Sequence, residues 1–600
     1  TTKFADVPDM SLIEDVLAIR ATGFMMNRDG WVDRVDQDQV HDDEIHDRDR
    51  WGLRFQSLYT PNDRLTVRFI GDYSEVNEVC CAVGSWKNNF FPQNGGPDIT
   101  GTDANIAALG GTVIDQKDFY DYKVATSRKP VSENEDKGVS LQLDWETDSF
   151  LITSITAYRE HDLNDNIDVT FTDLDGATQS NNAEQDQFTQ ELRITDEGEK
   201  LSYVAGLYYY QQNLDNSRST IVGEDLSAML GLPSNAFIAG DGALSVNEQE
   251  HTSYAIFGQA DYNITDDLVL TAGLRWTYEE KDMKNTFTDD APVPFSIFED
   301  NFGFYGFPPL TPQDDIDEDF DDDQVTGTVK LSWFLNNDIM LYGSYGTGYK
   351  SGGLNTDRIP SEFSVQFDAE ESESFEIGMK AEFPDQALRL NVALHMTDTD
   401  DLQTSSFQGG GFVLANAGTA ETYGGEMDLS WLPTDSTTLT LAYAYNHGEY
   451  KDFDNGGCWV STPWHTGEPD PGLNEDGVSC DRSGGDMSGN PENVVVVTGN
   501  QEFRFTDAMT GFVYAEYIYT DERMTDVNND PVKFEDDYSL VNLRAGVTYE
   551  PWQSQLVLWG RNVTDEDYTN TISDAPGQTG RAIGYYNEPA TWGVTLRKDF

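Results

Sequence analysis

The sequence predicts an all-β protein, a transmembrane antiparallel up-and-down β-barrel of about 20 strands. Three observations predict it: segments that alternate apolar and polar residues at period two, connections that alternate between short turns and long polar loops, and an aromatic content of 12%. Strands with lipid on one side and water on the other show this alternation, and aromatic residues collect at the two membrane interfaces.

The last ten residues show the alternation most clearly. Trp592, Val594, Leu596 and Phe600 fall on one face, and polar or small residues fall on the other. Similar alternation recurs in residues 268–279, 388–397 and 439–446. The polar faces are too large and too charged for a dry core between two sheets, so we expect them to line a water-filled lumen.

The connections come in two sizes. Pro, Asn and Asp favour tight turns, so short connections are predicted at the following positions: 61–63, 147–149, 197–199, 265–267, 336–338, 384–386, 433–435, 506–508 and 551–553. Longer polar loops are predicted between them: 28–47, 77–137, 163–184, 214–249, 282–322, 351–369, 451–491, 522–535 and 567–585. Short turns on the periplasmic side and long loops on the extracellular side are typical of outer-membrane barrels.

Composition excludes several classes of protein. The chain has 37 Lys and Arg residues against 108 Asp and Glu residues, a net charge of −71, which argues against nucleic-acid binding. It contains no apolar run of about 18 residues, so no transmembrane helix is predicted. It contains no H-E-x-x-H, P-loop or G-x-S-x-G motif, so we expect no enzymatic activity.

Several motifs resemble one family. Residues 345–355 (YGTGYKSGGLN), residues 416–418 (NAG) followed by 423–427 (YGGEM), and residues 562–568 (NVTDEDY) are similar, in order and spacing, to segments of TonB-dependent outer-membrane receptors. The end of the chain, from residue 593, resembles their closing strand.

The resemblance has implications for the domains. Family members carry an N-terminal plug and a TonB box with a 22-stranded barrel, and neither plug nor TonB box is visible here. We therefore expect residues 1–600 to form the barrel domain of a longer protein. Residues 1–11 are then the stub of a preceding strand, and about 20 of the likely 22 strands are present.

The resemblance implies active import of a scarce ligand across the bacterial outer membrane, driven by TonB and the proton-motive force. The default ligand is a ferric siderophore or another iron complex; a carbohydrate or another organic nutrient is the alternative. The implied partners are outer-membrane lipid, the TonB-ExbB-ExbD complex acting through the plug, and the barrel-assembly machinery, which would recognise Phe600. A passive porin-like channel is the rival function.

Ligand-contacting residues are sought among loop aromatics and luminal cations. Exposed aromatic rings can stack on a ring-bearing ligand, although packing between loops is the simpler interpretation. The alternation places two arginines in the lumen, where they would attract an anionic ferric complex. The candidate residues are Trp86, Phe90, Phe91, Phe304, Tyr305, Phe307, Arg275 and Arg389.

Metal and cysteine chemistry gives weaker expectations. Asp317, Asp319 and Asp321 are candidate Ca²⁺ ligands, but their spacing is not that of an EF-hand loop and a solvated acidic run is the alternative. No other cofactor is expected. Cys458 and Cys480 flank one polar loop, and a disulfide is predicted between them. The adjacent pair, Cys80–Cys81, is left open between a vicinal disulfide, other partners and free thiols.

Tryptophans in the strands and turns are expected at the membrane interfaces, on the lipid-facing side of the barrel. They are Trp145, Trp276, Trp333, Trp431, Trp552, Trp559 and Trp592.

Overall fold

The described residues form one large antiparallel sheet in which each strand pairs with the next along the chain. The structure, a computed structural model, describes residues 10–36, 40–88, 90–93, 96–99, 101–234, 236–289, 313–358, 364–408, 411–475, 477, 479–578 and 580–599. In this part of the chain the sheet has 21 strands. They are β1 (Met10–Ile13), β2 (Leu17–Arg28), β3 (Arg48–Asn62), β4 (Leu65–Glu78), β5 (Val131–Glu146), β6 (Leu151–Asp168), β7 (Ala177–Glu197), β8 (Leu201–Val222), β9 (Gly242–Thr265), β10 (Leu268–Asp289), β11 (Ile316–Phe334), β12 (Ile339–Lys350), β13 (Glu370–Phe383), β14 (Leu388–Asp400), β15 (Thr419–Thr434), β16 (Thr437–Asp452), β17 (Asn493–Thr506), β18 (Met509–Thr520), β19 (Tyr538–Tyr549), β20 (Ser554–Arg561) and β21 (Thr591–Lys598).

Shorter elements lie in the connections. The short strands are Val32–Val35, Val40–Ile45, Gly84–Lys87, Phe90–Gln93, Gly96–Ile99, Lys123–Ala125, Gly353–Leu354, Gln366–Phe367, Gln403–Gln408, Gly411–Asn416, Arg523–Met524, Phe534–Glu535, Thr569–Asp574 and Ala582–Tyr586. The α-helices are Gly101–Ala108, Leu226–Met229 and Ser461–Thr466, and the 3₁₀ turns include Gln116–Asp121, Pro384–Gln386, Pro531–Lys533 and Glu550–Trp552. Within the described ranges, none of the helices has the length and apolarity needed to span a bilayer.

The two faces of the sheet differ as the alternation predicts. On β10, Leu274 is 69% exposed and Trp276 also lies on the outer surface, whereas Arg275 and Thr277 point to the opposite face. On β21, Trp592 is 66% exposed. A continuous apolar surface of this kind is unfavourable in water and favourable in lipid. The outer face is therefore the lipid-facing side of a membrane β-barrel, and the inner face lines its lumen.

Three predicted loops are shorter than expected. The loop predicted at 163–184 is reduced to residues 169–176, because β6 and β7 continue into it, and the loop predicted at 214–249 is reduced to 223–241. At 282–322, the strands extend to Asp289 and resume at Ile316. These extensions carry polar residues on both faces and no regular apolar alternation, so the hydropathy signal ends before the hydrogen-bonded ladder does. Since a strand needs only about 9–11 residues to cross a bilayer, the additional residues stand above the membrane.

The prediction that Trp559 faces lipid is wrong. Trp559 lies opposite Gly593 on the lumen side, and its indole Nε1 donates a hydrogen bond to Thr595 Oγ1 at 3.1 Å. The lipid-facing positions of β20 are instead Leu556 and Leu558. Within this short strand the apolar run from residue 556 to 559 hides the alternation. Gly593 has to be glycine-sized, because a Cβ there would overlap the Trp559 ring.

The assignment of faces predicts unequal effects of the same substitution at neighbouring positions. Val329 on β11 faces lipid and the adjacent Thr328 faces the lumen. We expect Val329→Arg to lower the free energy of unfolding by about 2–4 kcal/mol, because it places a charge in the hydrocarbon layer. Thr328→Arg should cost much less. Denaturant unfolding in lipid vesicles measures both, and equal effects would contradict the assignment.

Candidate functional site

The predicted luminal arginine Arg275 lies in an aromatic setting. Its guanidinium carbon is 5.6 Å from the ring centroid of Tyr208 and 5.7 Å from that of Phe257, and its Nε donates to Thr277 Oγ1 at 2.9 Å. Contacts of a cation with ring faces are attractive, so the two rings hold the side chain against the wall. Arg275 is thus where it was expected, with aromatic neighbours that the sequence did not reveal.

The second predicted arginine, Arg389, is also on the inner face but at the other end of the barrel. It is the second residue of β14, next to the short turn that begins at Pro384, and is exposed. Arg275 and Arg389 therefore lie at different depths and do not form one site.

A polar cluster continues the inner wall above Arg275. The rings of Tyr210 and His251 make an edge contact with centroids 5.3 Å apart, and His251 Nε2 lies 3.6 Å from Glu279 Oε2. Lys281 Nζ donates to Ser351 Oγ at 3.1 Å and to the Gly352 carbonyl at 2.5 Å. These last two contacts tie β10 to the connection that follows β12.

That connection lies against the wall as an inner strap, which we define as residues 351–358. Asn285 Nδ2 donates to the Thr356 carbonyl at 2.7 Å, and Asp357 forms an ion pair with Arg218. Arg358 is buried, with its guanidinium 5.0 Å from the ring centroid of Phe287. The strap therefore follows the lumen face of β8, β9 and β10 above the membrane.

A second layer is formed by loops that pack against each other over the β2–β5 and β19–β21 region. Its apolar core contains buried Val32, Ile45, Phe119 and Tyr586. Trp86 packs at the edge of this core, 5.3 Å from the Phe119 ring in an edge-to-face contact. Its indole Nε1 donates to the Val532 carbonyl at 2.8 Å. Trp86 thus joins loops together, as the simpler interpretation of the loop aromatics has it.

The other aromatic candidates lie partly or wholly outside the described residues. Phe90 and Phe91 lie in a short strand paired with Gly96–Ile99, and their side chains are outside what the structure describes. Phe304, Tyr305, Phe307 and Phe600 lie outside the described residues.

A buried cation holds the next set of loops together. The side chain of Lys533 is 1% exposed, and its Nζ lies 2.5 Å from both Asp526 Oδ2 and Asp574 Oδ2. Ser461 Oγ also donates to Asp574 Oδ1, at 2.8 Å. Burial acts to lower the pKa of Lys533, but the attraction of Asp574 and Asp526 outweighs it and the pKa is raised. Lys533 is therefore charged and bridges two loops.

A buried carboxyl group lies close to this bridge. Glu535 is 5% exposed, and its Oε1 accepts a hydrogen bond from the Thr569 backbone N–H at 3.0 Å. Burial raises the pKa of Glu535 to about 7, against the opposing influence of the Thr569 hydrogen bond and of Arg523. This contact between two loops is therefore sensitive to pH near neutrality.

The cysteines are all in disulfides. Cys458 and Cys480 are bonded, with their Cα atoms 5.1 Å apart, and close the loop predicted from the sequence. Asp470 within that loop forms a buried ion pair with Arg482, which lies two residues beyond Cys480. The alternatives for Cys80–Cys81 resolve to a vicinal disulfide, in which Cys81 has a φ of 76°.

The candidate calcium ligands lie on a strand, not in a loop. Asp317, Asp319 and Asp321 are exposed on the outer face of β11, and Lys284 Nζ lies 3.8 Å from Asp317 Oδ2. Same-face neighbours on a strand are about 6.6 Å apart, whereas Ca²⁺ binds its oxygens at about 2.4 Å. The arrangement resembles a solvated acidic face, the alternative given by the sequence.

Comparison with known proteins identifies the family. Residues 82–563 match the model of the TonB-dependent receptor-like β-barrel. The chain belongs to this family. Members of this family and the structural neighbours of the chain are receptors and transporters, not enzymes. Like them, this receptor barrel is an outer-membrane protein.

Relatives of the receptor barrel are distant in sequence and similar in fold. The pesticin receptor of Yersinia enterocolitica is 24% identical over 245 residues, which are 41% of this chain and 31% of that receptor. The match thus spans about a third of the curated relative. The structure of the ferric yersiniabactin uptake receptor FyuA from Yersinia pestis has a TM-score of 0.74 at 15% identity, covering 99% of this chain and 77% of that one. The siderophore receptor PiuA from Acinetobacter baumannii has a TM-score of 0.68 at 16% identity, covering 98% and 78%.

Sequence reasoning about the receptor barrel missed three basic residues that organise its extracellular side. They are Arg218 and Arg358 at the inner strap and Lys533 in the loop layer. The composition contains a signal for such residues. With 37 basic residues against 108 acidic ones, a single cation in an acidic loop is expected to pair with one of many carboxylates. Which carboxylates it joins depends on long-range contacts that the sequence does not show.

The bridge at Lys533 in the receptor barrel predicts a loss of loop stability. We expect Lys533→Met to reduce the local stability of residues 521–537 and 562–590 by about 3–5 kcal/mol, because Asp526 and Asp574, both largely shielded from water, then lack their cation. Hydrogen exchange of these segments measures the change. The control is Lys451→Met, which removes exposed ion pairs with Glu421 and Glu449 and should have little effect. Equal protection in both variants would rule out the bridge.

Glu535 predicts a pH dependence of the same loops. Its pKa is about 7 in the folded loops against an ordinary 4.5, so the folded state binds the proton more tightly. This contribution to stability is complete below pH 4.5 and is lost as the pH rises through 7. We expect protection of residues 562–590, corrected for intrinsic exchange, to decrease from pH 6 to pH 8. Glu535→Gln should remove most of that decrease, and an unchanged slope would refute the assignment.

Proposed function

We propose that this protein imports a scarce small ligand across the outer membrane by TonB-driven transport. The observation that carries the proposal is the match of residues 82–563 to the TonB-dependent receptor barrel. The extracellular half of the lumen supports it, because Arg275, its aromatic neighbours and the inner strap offer charged, polar and ring-bearing groups to a solute. The barrel wall serves as a rigid frame and makes or breaks no covalent bond.

The ligand class proposed from similarity is an iron complex such as a ferric siderophore. Two of the similar structures are named as receptors for ferric yersiniabactin and for a siderophore. A carbohydrate or another organic nutrient is the second candidate. The net charge of −71 favours it, because the field of a strongly acidic protein repels polyanionic ferric complexes.

Energy coupling is proposed to come from partners that act outside this barrel. In members of this family a plug domain carries the TonB box, and the TonB-ExbB-ExbD complex acts on it. We infer the same arrangement for the full-length protein, with the barrel-assembly machinery recognising Phe600.

Transport assays test the proposal directly. Cells that express the full-length protein are grown with a single ferric siderophore, haem or oligosaccharide as the limiting nutrient, and uptake is measured with and without TonB. We expect uptake of one ligand class, and its loss without TonB. Uptake that persists without TonB would contradict active import and favour the porin-like channel.

A further inference from the structure

The inner face of β7, β8 and β9 above the membrane has a composition of its own. On the outer face, Tyr209, Tyr254 and Tyr278 are direct cross-strand neighbours and mark the membrane interface. The strands continue beyond them toward the extracellular side. The inward-facing side chains of these extensions therefore line the outer vestibule of the lumen.

Amide side chains dominate this inner surface, which we call the amide wall. It comprises the inward positions of 179–187 on β7, 212–220 on β8 and 243–251 on β9, fifteen residues in all. Eight of the fifteen are Asn or Gln and none is Asp or Glu, whereas five of the twelve outward residues between them are Asp or Glu. In a chain with 108 acidic residues, the exclusion of carboxylates is a property of this face.

Part of the wall is short of hydrogen-bond partners. Asn216 on β8 lies directly opposite Asn247 on β9, and Asn247 lies opposite Asn285 on β10, next to the wall. Asn247 is 2% exposed, and neither its Oδ1 nor its Nδ2 has a partner among the described residues; Oδ1 of the other two is likewise unpaired there. Unpaired buried amides cost free energy. Asn247 and Asn285 are buried beneath the lumen surface, whereas Asn216 is only partly buried and is the one of the three that a ligand in the vestibule can reach.

The chemistry of the wall favours an uncharged ligand. Each amide offers one acceptor oxygen and two donor hydrogens, which complement hydroxyl and amide groups. The nearby cations are occupied: Arg218 pairs with Asp357, and Arg358 Nη2 donates to the Leu244 carbonyl at 3.1 Å. Below the wall, Tyr210 Oη donates to Gln212 Oε1 at 2.9 Å, so aromatic rings adjoin the amides.

We propose that the amide wall is a binding subsite for an uncharged ligand surface rich in hydroxyl and amide groups. Two sources share this chemistry: a neutral oligosaccharide and an electrically neutral ferric trihydroxamate. A polyanionic ferric complex finds no free cation on this wall. This subsite narrows the class of ligand in the proposed import function, and it rests on that function for the delivery of ligand to the lumen. Binding to the subsite can nevertheless be measured without transport.

Binding to the purified full-length protein tests the subsite. The probes are a set of neutral oligosaccharides, a neutral ferric trihydroxamate and the trianionic ferric complex of a tris-catecholate, each titrated by calorimetry. We expect one of the neutral probes to bind, and the probe that binds identifies the source of the ligand. Binding of the tris-catecholate complex alone would overturn the proposal.

Matched variants locate the binding. The double variant Gln212→Ala/Asn216→Ala removes two inward amides of β8, and Gln211→Ala/Asn213→Ala removes two outward amides of the same strand. We expect the inward pair to raise the Kd of the neutral probe about tenfold or more, and the outward pair to change it less than about twofold. Asn216→Asp, which keeps the size and adds a charge, should also weaken binding. Equal Kd values for the two double variants would overturn the proposal, provided that both migrate as folded barrels.

Failure of the subsite is distinguishable from failure of the import function. If a neutral probe binds through the inward amides but uptake does not require TonB, active import is contradicted and the subsite stands. If uptake requires TonB but no neutral probe binds, the subsite is contradicted and active import stands.

Discussion

The continuous hydrogen-bonded ladder from β1 to β21 is the constraint on which the rest of the structure depends. In lipid no water pairs with a free backbone N–H or C=O, so each strand has to satisfy its backbone through its neighbours. That requirement fixes the strands side by side and gives each residue one of two faces. The positions of Arg275, Trp559 and the amide wall all follow from this alternation within a fixed register.

Above the membrane a second interaction is added to the small apolar clusters that the loops bury, because the loops have water on one side. Scarce cations then join segments that are distant in sequence. Lys533 connects Asp526 with Asp574, and Arg218 holds the inner strap through Asp357. The Cys458–Cys480 disulfide and the Arg482–Asp470 ion pair together close residues 458–482. A strongly acidic chain thus uses cations such as Lys533 to neutralise carboxylates that would otherwise repel one another.

The fold could be predicted from the sequence because its main signal is local. Alternation and turn residues determine strands and hairpins within a few residues, as for the turns near Asp148 and Asp266. The lengths of β6 to β11 above the membrane could not be predicted, since their upper parts carry polar residues on both faces and lack a regular apolar alternation. The surroundings of Trp86 and of the inner strap depend on contacts between residues far apart in sequence, such as Trp86 with Val532. Such contacts leave no periodic pattern.

The height of β9 has a consequence at the cell surface. Its 24 residues extend about 80 Å along the strand, or about 60 Å along the barrel axis at a tilt near 40°. The apolar band of an outer-membrane barrel is about 25 Å tall, which leaves roughly 30 Å of wall outside the bilayer. On this side the rim of the barrel therefore projects through the saccharide layer that covers the outer leaflet. A solute that enters the lumen over this rim no longer has to cross the saccharide layer.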